Sequence, residues 1–172
     1  AGLGVPALLV PESAGGVGLA CLDAALVAET LGYHATPAPF LGTAVALPIA
    51  LAGRDGDELL ARSAAGELRA GLALAGAIGL RGSAGVTASG GRLSGTAPFV
   101  IDCPADCYLV ADDARRLYLV DAGAAGLSSA AFDTIDRTRR TGTLTLNGTP
   151  ARLVSDDPAV FGRVLDAARV ML

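Results

Sequence analysis

Two textures of apolar and polar positions divide the chain. Between about Leu19 and Gly66, apolar residues recur at helical spacing. Leu22, Ala25, Leu26, Glu29 and Thr30 fit one such helix, with Gly32 placed to end it as a C-cap glycine. Thr36-Pro37-Ala38-Pro39 reads as a rigid connector, followed by a helix over residues 41–52 that stops at Gly53. A short helix over 57–65 has Asp55 or Asp57 as its cap and Gly66 at its end. From Leu68 to about Val154 the period shortens. Residues 68–75 form an apolar run suited to a central strand, and Ser89-Gly90-Gly91 is a hairpin signal between 85–88 and 92–101. Residues 108–111 and 117–120 make a second pair around Asp112-Asp113-Ala114. In the next strand Thr141, Thr143 and Thr145 alternate with Leu144 and Leu146, and Asn147-Gly148 reads as a turn into 151–154. Asp156-Asp157-Pro158 then opens a helix, an aspartate cap with proline in the first turn. The predicted fold class is α+β: a short helical N-terminal segment, an antiparallel β-barrel domain of about six to eight short strands, and the start of a C-terminal helix. The boundaries predicted are 1–67, 68–155 and 156–172, with chain continuing on both sides because no Met opens the sequence and the last helix is cut short.

Composition narrows the chemistry. The 172 residues are 52% hydrophobic with a mean hydropathy of +0.52, which excludes a disordered chain. The longest membrane candidate, residues 40–52, contains Gly42, Thr43 and Pro48 and is shorter than the roughly 20 residues a span requires. It reads as a buried helix. No basic segment precedes an apolar stretch at the N-terminus, so a secretory signal is not expected and the cytoplasm is. All 13 basic residues are arginine, which excludes lysine Schiff-base chemistry and a Walker lysine in this chain. A net charge of −4 argues against a nucleic-acid partner. The cluster Arg137, Arg139 and Arg140 reads either as a solvated loop or as a contact for one phosphorylated ligand or a partner's carboxylates.

Three cysteines and one histidine cannot assemble a zinc set, so no metal is expected and the thiols read as small buried hydrophobes. Asp102 and Asp106 bracket Cys103 and Cys107 and imitate an acid–thiol pair, but they read as surface turn residues. His34, without a second histidine, reads as a residue beyond a helix end. Gly15, Gly16 and Gly18 lack the strand before and helix after of a dinucleotide fingerprint.

The order helices, sheet domain, helix resembles the acyl-CoA dehydrogenase family, and several segments sharpen the likeness. Val10-Pro11-Glu12 with Gly15-Gly16-Val17-Gly18 is similar to the family's Val-Pro-Glu and Gly-Gly-Leu-Gly segment. Ala28-Glu29-Thr30-Leu31-Gly32 resembles its Glu-Glu-Leu-Gly helix terminus, and Ala65-Gly66-Glu67-Leu68 its Ser-Gly-Glu turn. Gly91-Arg92-Leu93-Ser94-Gly95 resembles the strand before the flavin-contacting segment, with Ala105-Asp106 after it and Asp156-Asp157-Pro158 opening the C-terminal helices.

The resemblance implies FAD as cofactor, an acyl-CoA thioester as substrate and α,β-dehydrogenation. A glutamate base takes the α-proton while a hydride leaves the β-carbon for flavin N5. That base lies in the family's C-terminal bundle, so no catalytic residue is assigned here. Two flavin-contacting motifs depart from the family. Where Thr-Glu-Pro-x-Ala-Gly-Ser-Asp should begin, the chain reads Leu74-Ala75-Gly76-Ala77-Ile78. Where Trp-Ile-Thr or Trp-Ile-Ser should stand, it reads Phe99-Val100-Ile101. Leu74, Ala75, Phe99, Val100 and Ile101 are thus the candidate cofactor contacts, with Phe99 read either as a ring against the flavin or as sheet core. Two side-chain hydrogen bonds, each worth about 0.5–1.5 kcal/mol net, are missing. Degenerate members of the family pair with a complete subunit in heteromeric enzymes of actinobacterial lipid and steroid breakdown. The alternatives are therefore a flavin-binding subunit and a non-catalytic partner in a homo- or hetero-oligomer.

Overall fold

The computed structural model describes residues 4–54, 57–79 and 84–172. Two 3₁₀ turns, Val5–Ala7 and Glu12–Ala14, lead into helix α1 (Cys21–Tyr33). A π-helix, Leu41–Ala46, runs straight into α2 (Leu47–Ala50), and α3 covers Glu58–Ala64. Eight strands follow: β1 (Ala70–Ala73), β2 (Gly85–Ser89), β3 (Arg92–Ile101), β4 (Cys107–Ala111), β5 (Leu117–Asp121), β6 (Leu127–Ala131), β7 (Thr141–Pro150) and β8 (Arg152–Ser155). Helix α4 (Pro158–Val170) closes the chain, capped by the Asp157 carboxylate on the Ala159 N–H at 2.8 Å with Pro158 in the first turn.

The strands form one sheet in the order β6-β7-β3-β1-β4-β5-β8, with β2 paired to the first half of β3. Every ladder is antiparallel except β1 with β4. The expected barrel does not close. The chain passes from β7 to β8 through Ala151 and so crosses from one side of the sheet to the other, but no ladder joins β6 to β8. Closure needs a continuous run of edge hydrogen bonds. Here β6 keeps an exposed edge, and the four-residue β8 pairs with β5 alone.

Strands β1 and β4 are buried along their whole length, and β5 all but its last residue, because apolar layers cover both faces. Leu72, Cys107, Leu109, Leu117 and Leu119 face the helices, against Leu47, Leu51, Leu60, Phe161 and Val164. Tyr108, Val110, Tyr118 and Val120 face the inner side of the curled sheet, against Val86, Leu93, Leu144 and Leu146. The π-helix sits so close to β1 that a methyl group at Gly42 would overlap the Ala70 carbonyl oxygen. Residues 41–46 are all buried, as expected of that segment, and among the described residues no helix is long and apolar enough to cross a membrane.

Local expectations fare unevenly. The Gly90-Gly91 hairpin stands, both glycines with positive φ. Gly32 does not cap α1; the helix continues through Tyr33 to His34, and Ala35 carries the positive φ instead. Asn147-Gly148 is not a turn but a bulge inside β7, where the register with β3 shifts between Leu93 and Gly95. Asp57 is the cap of α3, accepting the Leu59 N–H at 3.1 Å, whereas Asp55 lies outside the described residues.

Candidate functional site

A bulge near the end of β3 shapes the rim. Ala97 pairs with Leu144 and Val100 with Gly142, so three steps on β3 oppose two on β7. Pro98 lies in this interval, and a proline cannot donate to a ladder, so the irregularity has a local cause. The extra residue turns Phe99 outward. Its φ is 55°, in the left-handed region, and it is 60% exposed. Its ring meets that of Phe132 edge-on, with centroids 5.7 Å apart. Of the two readings of Phe99, sheet core is thereby corrected.

The other candidates lie close by but point inward. Leu72 opposite Ile101 sets β1 antiparallel to β3, so Leu74 and Ala75 run alongside the bulge. Leu74 packs in the helix-facing core and Ala75 is buried. Val100 is in the inner core, and Ile101 is half-buried against the helical clusters. The rim thus offers the Phe99 ring, in edge contact with that of Phe132, and backbone groups. No buried side-chain N or O among the described residues lacks a hydrogen-bond partner, so no orphaned polar side chain is aimed into it. The rim carries an aromatic surface and, at Leu74, Ala75, Val100 and Ile101, no side-chain hydrogen-bond donor.

Behind Phe99 the turn is polar and buried. Asp102, expected on a surface turn, is buried with φ 59°. Its carboxylate accepts the Gly42 N–H at 2.9 Å, which ties the turn to the start of the π-helix. Burial pushes its pKa up to about 6, against the pull of the Gly42 hydrogen bond and of Arg139. No local pattern signals this contact, because the partner lies sixty residues away. After a cis Cys103-Pro104 bond, the buried Tyr108 hydroxyl accepts the Ala105 N–H at 3.2 Å and lies 3.8 Å from the Cys103 sulfur.

The imitation of an acid–thiol site dissolves in this geometry. Burial raises the Cys103 thiol and pushes Cys107 up to about 12, so neither is a ready thiolate. Asp106 faces Arg69 instead, in a two-pronged ion pair with contacts of 3.2 and 3.3 Å, and that hydrogen bonding holds its carboxyl below the usual range. Cys103 and Cys107 are buried as expected, but Cys21 is exposed in the first turn of α1. His34 is an exposed helix-end residue, its ring edge-on to Tyr33. Gly15 and Gly18 have positive φ in a loop, and a methyl group on Gly16 would strike Val10. Among the described residues no cluster of three His, Cys, Asp or Glu is placed to hold a metal.

No protein-family model and no curated protein matches the chain. Solved structures do. A variant of the Tcur3481–Tcur3483 steroid ACAD is 33% identical with a TM-score of 0.81, over 99% of this chain and 49% of that one. The ChsE4–ChsE5 complex from Mycobacterium tuberculosis is 27% identical with a TM-score of 0.77, over 98% of this chain and 50% of that one. A glutaryl-CoA dehydrogenase from Mycobacterium smegmatis in complex with FADH2 shares the fold at 18% identity and a TM-score of 0.72, over 97% of this chain and 49% of that one. The chain spans about half the length of each.

Proposed function

Because the chain belongs to the acyl-CoA dehydrogenase family, we propose that it forms part of a subunit of an FAD-dependent acyl-CoA dehydrogenase, cytoplasmic and acting on an acyl-CoA thioester of lipid or steroid side-chain breakdown. In this reading residues 1–67 are the N-terminal helical part, 68–155 the sheet domain, and 156–172 the first helix of the C-terminal helical domain. The observation that carries it is Phe99, an aromatic ring turned out of β3 by a bulge and held on a left-handed backbone at the sheet rim. Bound there, the flavin would supply the hydride acceptor. The chain's own part is to present Phe99 to the ring and to offer backbone groups near Leu74, Ala75, Val100 and Ile101 to its edge. The base that takes the α-proton belongs outside residues 1–172.

A second reading is favoured by the lack of side-chain donors at those four inward-facing positions. In it the chain is a non-catalytic partner in a heteromer and does not hold flavin alone, in keeping with the two-component structures that share 33% and 27% identity with it. Visible absorbance of the purified full-length protein, alone and with a second, complete subunit, separates the two. Yellow protein alone supports the first reading, and colour only in the complex supports the second. A colourless complex would contradict both.

A further inference from the structure

No side chain of residues 133–140, in the loop between β6 and β7, belongs to the hydrophobic core. Ile135, the one apolar residue among them, is fully exposed. Clefts of about 120, 290 and 310 Å³ border the loop, so it meets the body at points rather than along a packed face. Part of its hydrogen bonding is internal. The Asp136 carboxylate accepts the Thr138 N–H at 2.8 Å and the Thr138 hydroxyl at 2.7 Å. Among the described residues, two bonds tie these residues outward. The Cys103 N–H donates to the Arg140 carbonyl at 3.3 Å, and the Arg139 guanidinium donates to the Leu172 carbonyl at 2.7 Å.

The residue before Cys103 is the buried Asp102, held at φ 59° with its carboxylate on the Gly42 N–H at 2.9 Å. Arg139 and Arg140 approach it from the loop, and Arg69, already paired with Asp106, from the residue before β1. Cys103 and, behind it, Tyr108 are its other titratable neighbours. The π-helix, residues 41–46, and the connector, residues 37–39, bring none. Asp102 also lines the 290 Å³ cleft, through which solvent protons reach it. Arg139 favours the ionised carboxyl through space, with no hydrogen bond or ion pair joining the two. That pull exists only while Asp102 is charged. Protonation leaves the loop with its long Cys103 bond and the Leu172 bond.

We propose that Asp102 and Arg139 form a charge latch on this loop: the ionised acid holds the loop against the turn after β3, and the protonated acid releases it. The loop leads out of Phe132, whose ring meets that of Phe99, so release loosens the brace of the aromatic rim. What this does to a flavin rests on the function proposed above; the latch itself does not. The charge that draws the loop in is the same buried charge that costs the fold as a whole. Local order in the loop and global stability therefore move in opposite directions with pH.

The test is amide hydrogen exchange of the full-length protein, followed by NMR from about pH 4.5 to about 7.5 and corrected for the intrinsic rate. The Cys103 N–H is the reporter, because its acceptor is the loop carbonyl of Arg140. Its protection rises at least about tenfold across the range, with a midpoint near 6 that the Gly42 amide shift shares. Core amides such as that of Leu109 lose protection over the same window, so unfolding of the whole chain does not imitate the signal. Arg139→Gln keeps the carboxylate beside the Cys103 amide but removes the cation. It abolishes the rise and moves the Gly42 midpoint upward. Asp102→Asn keeps an acceptor for the Gly42 N–H and is flat throughout; should it fail to fold, Arg139→Gln carries the comparison. Cys103 protection that stays level in the wild type, or rises equally in Arg139→Gln, overturns the latch.

Discussion

Asp102 and Phe99 stand three residues apart at the end of β3 and hold opposite surroundings, one buried and ionisable, the other apolar and exposed. Burial favours the protonated form of Asp102, so the folded chain binds its proton more tightly than the unfolded chain does. Stability from this group is therefore full below about pH 4 and is lost as pH rises through about 6, a loss of the order of 3 kcal/mol. Urea denaturation across that window should show the slope in the wild type and its loss in Asp102→Asn. Equal slopes would mean that the carboxyl titrates alike in the folded and the unfolded chain. Phe99 makes the converse case. Its side chain adds little burial, and its left-handed φ favours glycine, so Phe99→Gly should leave stability unchanged or raise it by up to about 1 kcal/mol. The same change should weaken flavin binding, as read by the absorbance of the complex. A large loss of stability would show the ring to be structural.

The elements with a local physical cause were legible in the sequence. The Gly90-Gly91 hairpin needs two positive φ values, and Asp157-Pro158 supplies a cap and a preset first turn; both stand as read. Asp157→Ala should cost about 1 kcal/mol in thermal or urea unfolding. Elements defined by distant partners were not legible. β6 (Leu127–Ala131) has exposed serines and no apolar period, and it exists because β7 offers it an edge. Gly148 looked like a turn because its positive φ is the same in a bulge. Gly42 gave no sign in the sequence of its contact with β1. Gly42→Ala should destabilise by about 1–3 kcal/mol, because a methyl group there must displace the Ala70 carbonyl. Full stability in that variant would show that the π-helix can move away from the sheet.

Across the whole molecule, the sheet domain does two separate jobs with its two layers. The helix-facing layer joins Leu109 and Leu119 to Leu47 and Phe161, and so fixes the sheet to the helices on either side of it in sequence. The inner layer supports the rim from which Phe99 projects. Whether the strands met edge to edge was not encoded in any local pattern, and an open sheet was the outcome. The candidate site was half legible. The order of the family-like segments pointed to residues 99–101, but only the fold shows that Phe99 turns out while Val100 and Ile101 turn in. A crystal structure of the full-length subunit with its partner and FAD tests the central claim most directly. The isoalloxazine ring should lie in van der Waals contact with Phe99, at about 3.5–4 Å. A flavin bound elsewhere, with Phe99 covered by protein, would contradict it.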